Sequence, residues 1–376
     1  MPEKPPSADT PFILSALAPD TICRAAIDAV VPVGTTLLAD ASRKIGNKTK
    51  PAGSLGRLEA LAVQMCLVQN TLDPAVGQKN LFVFAGDHGV TAEGVSAFPS
   101  EVTVQMVLNF LAGGAAINVL CRHYGIDMKV VDMGVAGAFE DHPDLIKKKV
   151  APGTKNLARQ AAMSADALKA ALESGMAVFL EAHARKPIDI VGMGEMGIGN
   201  TTPATAIICA LTGISPAEAT GRGTGVDDAG LKRKTAVIEQ ALKLHCPDPT
   251  NGFEVLRTLG GFEIAGMAGA ILAAASKQTA VVLDGVISTA AGLAACVICP
   301  AIKGFLVAGH RSVEPAQKAA LSFMGLEPLL DLQMRLGEGT GAAMAMDAVA
   351  AACKIMTQMA SFEGAGVSTA SGTATA

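Results

Sequence analysis

Five short β-type runs, each ending in a glycine-bearing polar turn and interspersed with amphipathic helical stretches, constrain this chain more than any other feature. The runs are Leu81-Phe-Val-Phe-Ala85, closing in Gly86-Asp87-His88-Gly89; Met128-Lys-Val-Val-Asp132, closing at Gly134; and Ile188-Asp-Ile-Val191, closing in Gly192. Two more follow: Ala280-Val-Val-Leu283, closing in Asp284-Gly285, and Gly304-Phe-Leu-Val307, closing in Gly309-His310. Helical periodicity marks residues 99–112, 163–185, 228–245, 261–276 and 314–323. Strand, turn and helix in alternation specify an α/β fold, a Rossmann-like parallel sheet flanked by helices. Ligands in such sheets bind beyond the carboxyl ends of the strands, where every polar cluster just named falls. The first 60 or so residues and the region after 340 are helical in pattern without a clear strand. The expected division is a small helical domain from 12–75 plus 341–363 and a large α/β domain at 76–340 carrying the active site. The Pro- and Ser-rich residues 1–11 and the low-complexity 364–376 read as flexible ends.

Composition narrows the partners. A chain of 376 residues buries roughly three-quarters of its extended surface, ample without disulfide or metal staples. Its net charge is −4, its longest basic run is Lys147-Lys148-Lys149, and it has one Tyr and no Trp. A nucleic-acid groove needs clustered basic charge and stacking platforms, so no nucleic-acid partner is expected. Hydrophobic residues make up 50%, but the longest uncharged stretch, Gly285–Ile302, is rich in Ala, Gly, Ser, Thr and Cys and carries Pro300. Such residues insert weakly into lipid, so a buried helix is predicted and no membrane association. The N-terminus shows no secretory pattern, and the eight scattered cysteines suggest no disulfide framework, which suits the cytoplasm. Cys296-Val-Ile-Cys299 has redox or zinc spacing, but it lies within that apolar stretch and reads as core.

The most informative segment for chemistry is Gly192-Met-Gly-Glu-Met-Gly-Ile-Gly-Asn-Thr-Thr-Pro-Ala-Thr205. It follows a strand and opens a helix with a first-turn proline, where free N–H groups and the helix dipole favour an anion. Asn200, Thr201 and Thr202 are placed to cap the helix or to donate to phosphate oxygens. A capped turn and a dinucleotide fingerprint (Gly192, Gly194, Gly197) are the alternatives. The fingerprint lacks the acid that should end a strand about 20 residues later, so a monophosphate site is favoured. Gly221-Arg-Gly-Thr-Gly-Val-Asp-Asp228, ahead of Lys232, Arg233 and Lys234, reads as a loop and N-cap that could add a cation to that site. In Arg335-Leu-Gly-Glu-Gly-Thr-Gly341, Glu338 stands between glycines, either as a base against a ligand or as a helix-start acid favoured by the dipole. The histidines are unpaired, so no metal is expected. Neither a G-x-S-x-G elbow nor a nucleoside-triphosphate loop is present.

Taken in order, Lys50–Glu59, Ala85–Val90, Gly192–Thr205, Gly260–Gly266, Val282–Gly285 and Arg335–Gly341 resemble the nicotinate-nucleotide–dimethylbenzimidazole phosphoribosyltransferase family over residues 20–360 or so. The resemblance implies a cytoplasmic homodimer without a cofactor or metal. Such an enzyme joins 5,6-dimethylbenzimidazole to the ribose phosphate of nicotinate mononucleotide in the lower-ligand branch of cobalamin synthesis. By the same resemblance Glu338 is the catalytic glutamate. Glu195, Gly197, Gly199, Asn200, Thr201, Thr202 and Lys234 hold the nucleotide phosphate, and Phe98, Gln105 and Leu336 contribute to the base pocket.

Overall fold

The structure, a computed structural model, describes residues 21–368 apart from Thr224; the expected N-terminal segment 1–11, residues 12–20 of the small domain, and the tail from 369 lie outside the described residues. The chain begins with α1 (Ile22–Asp28), α2 (Leu38–Gly46), α3 (Arg57–Val68), β1 (Lys79–Gly86), α4 (Glu101–Leu111), α5 (Ala116–Tyr124), β2 (Asp127–Gly134) and β3 (Leu145–Lys147). It continues through α6 (Ala165–Arg185), β4 (Ile190–Met196), α7 (Thr201–Thr212), α8 (Pro216–Ala219), α9 (Asp228–His245), α10 (Gly252–Leu259) and α11 (Phe262–Ser276). The last elements are β5 (Ala280–Leu283), α12 (Val286–Ile298), β6 (Leu306–Ala308), α13 (Pro315–Met324), α14 (Thr340–Gln358) and α15 (Phe362–Ala365).

The six strands form one sheet in the order β3-β2-β1-β4-β5-β6, with every pairing parallel. Strand order reverses between β1 and β4, which opens a crevice at their carboxyl ends. Residues 80–86 of β1 are all buried, as expected of a strand covered on both faces. The alternation of side chains assigns the covers. On one face, Gly192 lies against Leu81 of β1 and Met346 of α14. On the other, Phe84 meets Gly266 of α11, which also packs on α6. Helices α2 and α3 pack with α14, whereas α1 packs on α6 and α11, so the N-terminal helices divide between the two sides. An isolated bridge joins Lys48 to Ser361.

Several boundaries differ from the sequence reading. The edge strand β3 was not expected, because its three residues are too short to register a period. The run read from Ile188 begins at Ile190 and extends through Gly192 and Gly194 to Met196, and the last strand starts at Leu306. Gly285–Ile302 does form a buried helix, α12, followed by a short 3-10 turn. Cys296 and Cys299 are free thiols, and burial pushes Cys296 up to about 12. The apolar stretch 101–124 is two helices of 11 and 9 residues with a turn at Gly113-Gly114, neither long enough to span a bilayer. Helix α15 takes in Gly364 and Ala365, the first residues of the segment read as a tail.

Candidate active site

Beyond the ends of β4, β5 and β6 lies a cavity of about 320 Å³, closed on one side by α4 and by the loop 335–338. That loop carries Glu338 in the left-handed region, at φ +63°, between Gly337 at +83° and Gly339 at +91°. A left-handed non-glycine residue costs roughly 1–2 kcal/mol and persists only where its surroundings hold it. Two features do so. On β4, Gly194 lacks a side chain where a Cβ would lie 2.4 Å from the Glu338 carbonyl oxygen, so the loop settles directly on the strand. At the end of β5, the Asp284 carboxylate accepts the N–H groups of Gly339 (3.1 Å), Gly341 (2.6 Å) and Ala342 (3.1 Å).

The Glu338 side chain borders the cavity yet is only 5% exposed, and its Oε2 has no hydrogen-bond partner. Burial raises its pKa above the ordinary carboxylate value and Asp284 adds to the rise, while the Ile117 amide at the start of α5 opposes it. A carboxylate so placed is a stronger base than one in water. Beside it, with Oε1 against Gly337, Glu195 is also buried and is pushed up to about 8, first by burial and then by the charges of Asp284, Glu263 and Glu338; the hydrogen bond from Asn200 opposes this. Burial thus favours the protonated form of Glu195, whose Oε2 is already engaged by Asn200, while Glu338 Oε2 has no partner.

The turn after β4 runs from Gly197 to Asn200 and delivers the chain into α7. The first two glycines of the apparent dinucleotide fingerprint thus belong to the strand and only the third to the turn, which corrects that alternative. Gly194 is there to admit the Glu338 loop, not a pyrophosphate. The Asn200 side chain donates to Glu195 at 2.5 Å and leaves the N-terminus of α7 without a side-chain cap. Thr202 N–H is taken by the Gly199 carbonyl at 3.1 Å and residue 203 is a proline, so the Thr201 amide is the one at the helix start open to an anion. Thr201 Oγ1 accepts from Lys234 Nζ at 2.8 Å, and the same ammonium donates to the Gly221 carbonyl at 3.2 Å. Lys234 is fully buried; burial lowers it to about 8, against the opposing charge of Glu314.

Of the residues expected at the site, Glu195, Gly197, Asn200, Thr201, Phe98, Leu336 and Glu338 line this one cavity. Lys234 reaches it through Thr201. Gly199 is turned toward Thr91, and Thr202 is buried behind the helix start with its hydroxyl unpaired, so neither lines the cavity. Gln105 does not line this cavity: it is exposed on α4, where Val102 and Met106, one turn apart, face the cavity. Sequence reasoning missed the roles of Asp284 and His310, both of which occupy strand ends, and of Glu314, which accepts the Gly223 N–H at 2.8 Å. It also missed a buried pair under the turn after β4, where His88 Nε2 lies 2.7 Å from Glu263 Oε1. Among the described residues no cluster of three or more metal-ligating side chains occurs.

The cavity joins an apolar slot (Phe98, Val102, Met106, Val286, Ile287, Leu336) to the uncapped start of α7, with Glu338 bordering the same space. It suits a flat ring brought against a phosphorylated sugar. Comparisons with known proteins agree. A family model described as "Phosphoribosyltransferase" matches residues 30–367. The nicotinate-nucleotide–dimethylbenzimidazole phosphoribosyltransferase of Geobacter metallireducens is 50% identical over 347 residues, 92% of this chain and 98% of that one. Its counterpart in Geobacter sulfurreducens is 51% identical, also over 92% and 98%. The crystal structure of the enzyme of that name from Thermus thermophilus superposes with a TM-score of 0.84 at 42% identity, covering 89% of this chain and 98% of that one.

Proposed function

The chain belongs to the nicotinate-nucleotide–dimethylbenzimidazole phosphoribosyltransferase family, and from that premise we propose that Glu338 is the base of its transfer reaction. The reaction moves the phosphoribosyl group of nicotinate mononucleotide to 5,6-dimethylbenzimidazole, giving α-ribazole 5′-phosphate and nicotinate for the lower ligand of cobalamin. The observation that carries this reading is a buried carboxylate, short of hydrogen-bond partners, in the same cavity as an uncapped helix start backed by a buried lysine.

The ring nitrogen of nicotinate mononucleotide is quaternary, so nicotinate leaves with the electron pair of the C1′–N bond and needs no proton. One nitrogen of the incoming base attacks C1′ from the opposite side, which turns the β-nucleotide into an α-product. Its other nitrogen then carries a proton that must leave, and Glu338 accepts it. The apolar slot holds the base, while the amide and hydroxyl of Thr201, backed by Lys234, hold the phosphate. Anchoring both partners supplies orientation, which contributes alongside the base itself. The products test this directly: purified protein given both substrates forms an α-ribotide on chromatography. A nucleotide sensor would form none, and a nicotinamide-dependent oxidoreductase would instead bind the dinucleotide tightly on titration.

Lys234→Met is expected to raise the KM for nicotinate mononucleotide about 10–100-fold, the worth of a lost charge-assisted contact, with a smaller effect on kcat. Steady-state kinetics at varied nucleotide check this; an unchanged KM removes Lys234 from the phosphate site. The pH dependence follows from two groups. As pH falls through the raised pKa of Glu338, the base is protonated and kcat drops. As pH rises past about 8, free Lys234 loses its charge and the nucleotide KM climbs. Profiles of kcat and KM between pH 5 and 9.5 separate the two limbs; a nucleotide KM flat through pH 9 contradicts the second.

We further propose a cytoplasmic homodimer acting on small molecules alone. The exposed Phe98, Leu108 and Val119 on and beside α4 and α5 offer apolar surface for a second copy. Sedimentation checks the assembly.

A further inference from the structure

Helix α14 begins at Thr340, and the residue before it, Gly339, has no side chain with which to cap it. The missing cap comes from 55 residues away in sequence. Asp284, at the end of β5, places Oδ2 on the Gly339 N–H and Oδ1 on those of Gly341 and Ala342. Its own amide is held by Ser288 Oγ at 2.7 Å, so the acceptor is itself fixed. Asp284 is 1% exposed and does not line the cavity, whereas the next residue, Gly285, does. Glu338 immediately precedes the capped glycine and lies in the left-handed region.

We propose that Asp284 is a positioning residue: by capping α14 from the neighbouring strand it holds Glu338 in the geometry that reaches the incoming base, without touching substrate itself. The inference rests on the reading of Glu338 as base. A carboxylate that accepts three amides fixes both the direction of the helix axis and the turn that leads into it. The nearest hydroxyl, that of Thr340, does not cap them, because it donates to the Gly337 carbonyl. The charges around the pair are few. Glu338 is faced by Asp284 and by Glu195 of β4, with the Ile117 amide opposing. Asp284 is faced by His310 beyond β6, at 3.5 Å from Nε2 to Oδ1.

The test is Asp284→Asn in the full chain, with kcat, nucleotide binding by calorimetry and the pH profile of kcat measured together. The amide keeps the volume but turns a donor toward at least one of the three N–H groups and removes the charge beside Glu338. Expected is a fall in kcat of about 10²-fold, as for a misplaced catalytic group, with nucleotide affinity near wild type. The acid limb of kcat moves to lower pH, because a like charge no longer holds the Glu338 carboxyl up. Wild-type kcat overturns the proposal. So does a lower kcat with an unmoved acid limb, which would make Asp284 a general support of the fold, or a parallel loss of nucleotide binding. Should the Asn variant not fold, Asp284→Glu carries the test, since it keeps the charge but sets the oxygens one methylene further out. Reduced kcat with intact nucleotide binding supports the proposal, and wild-type kcat overturns it. Glu338→Ala separates the two readings: if it retains turnover, the base assignment fails, whereas an inactive Glu338→Ala beside a fully active Asp284→Asn defeats only the role of Asp284.

Discussion

Glu338→Gln is expected to lower kcat by about 10²–10⁴-fold, the usual worth of a general base, while leaving the nucleotide KM close to wild type. The amide matches the carboxylate in size, and the left-handed backbone at this position is held by neighbours that the change leaves in place. What it cannot do is take the proton that the benzimidazole ring must release after attack. The phosphate end should not notice, because its donors belong to the start of α7 and to α9. Steady-state kinetics with each substrate varied, paired with calorimetric nucleotide binding, would show a kcat effect without a binding effect. Turnover within a few-fold of wild type at neutral pH would mean that the proton leaves by another route.

The second large effect comes from a residue with no side chain. Gly194→Ala puts a Cβ 2.4 Å from the Glu338 carbonyl oxygen, 2.8 Å from its carbon and 3.1 Å from the Gly339 nitrogen. All three are backbone atoms, so the loop must move or β4 must bend. Overpacking of this kind costs about 1–3 kcal/mol of stability. Displacing the base by a fraction of its reach lowers kcat by about 10²-fold. Gly192→Ala is the control on the same face of the same strand. Its Cβ meets Leu81 Cδ1 at 3.1 Å and Met346 Sδ at 3.2 Å, side-chain atoms that need give by only a few tenths of an ångström, with no backbone atom among the nearest. Thermal melts and kinetics on the two variants should therefore diverge, with Gly194→Ala far less active and Gly192→Ala close to wild type. Equal behaviour would mean that contact between the loop and β4 does not place Glu338.

That contrast also shows what the sequence could and could not reveal. Apolar runs ending in glycine and a polar residue were enough to identify the parallel sheet, and they pointed to strand ends as the place for chemistry. Glu195, Asn200, Thr201 and Glu338 were legible because each stands in or beside a glycine-rich turn at such an end. The glycines at 192 and 194 were read as turn because a lone sequence shows that a side chain is missing, not what fills its space. A loop some 140 residues downstream fills it at Gly194. Asp284 was visible as a strand-end acid, but its cap on α14 joins elements that only the fold brings together. Gln105 was named for the base pocket by resemblance; Val102 and Met106, its neighbours on α4, could have been found from helical phase and line the cavity.

The most direct test of the account is a crystal structure with dimethylbenzimidazole and a slow nucleotide analogue, or with the α-ribotide product. The account predicts that the ring lies in the slot between Met106 and Leu336, with its unreacting nitrogen about 2.6–3.2 Å from a Glu338 oxygen, and that the phosphate sits at Thr201 where α7 begins. A ring whose free nitrogen faces Glu195 or solvent, with Glu338 out of reach, contradicts it.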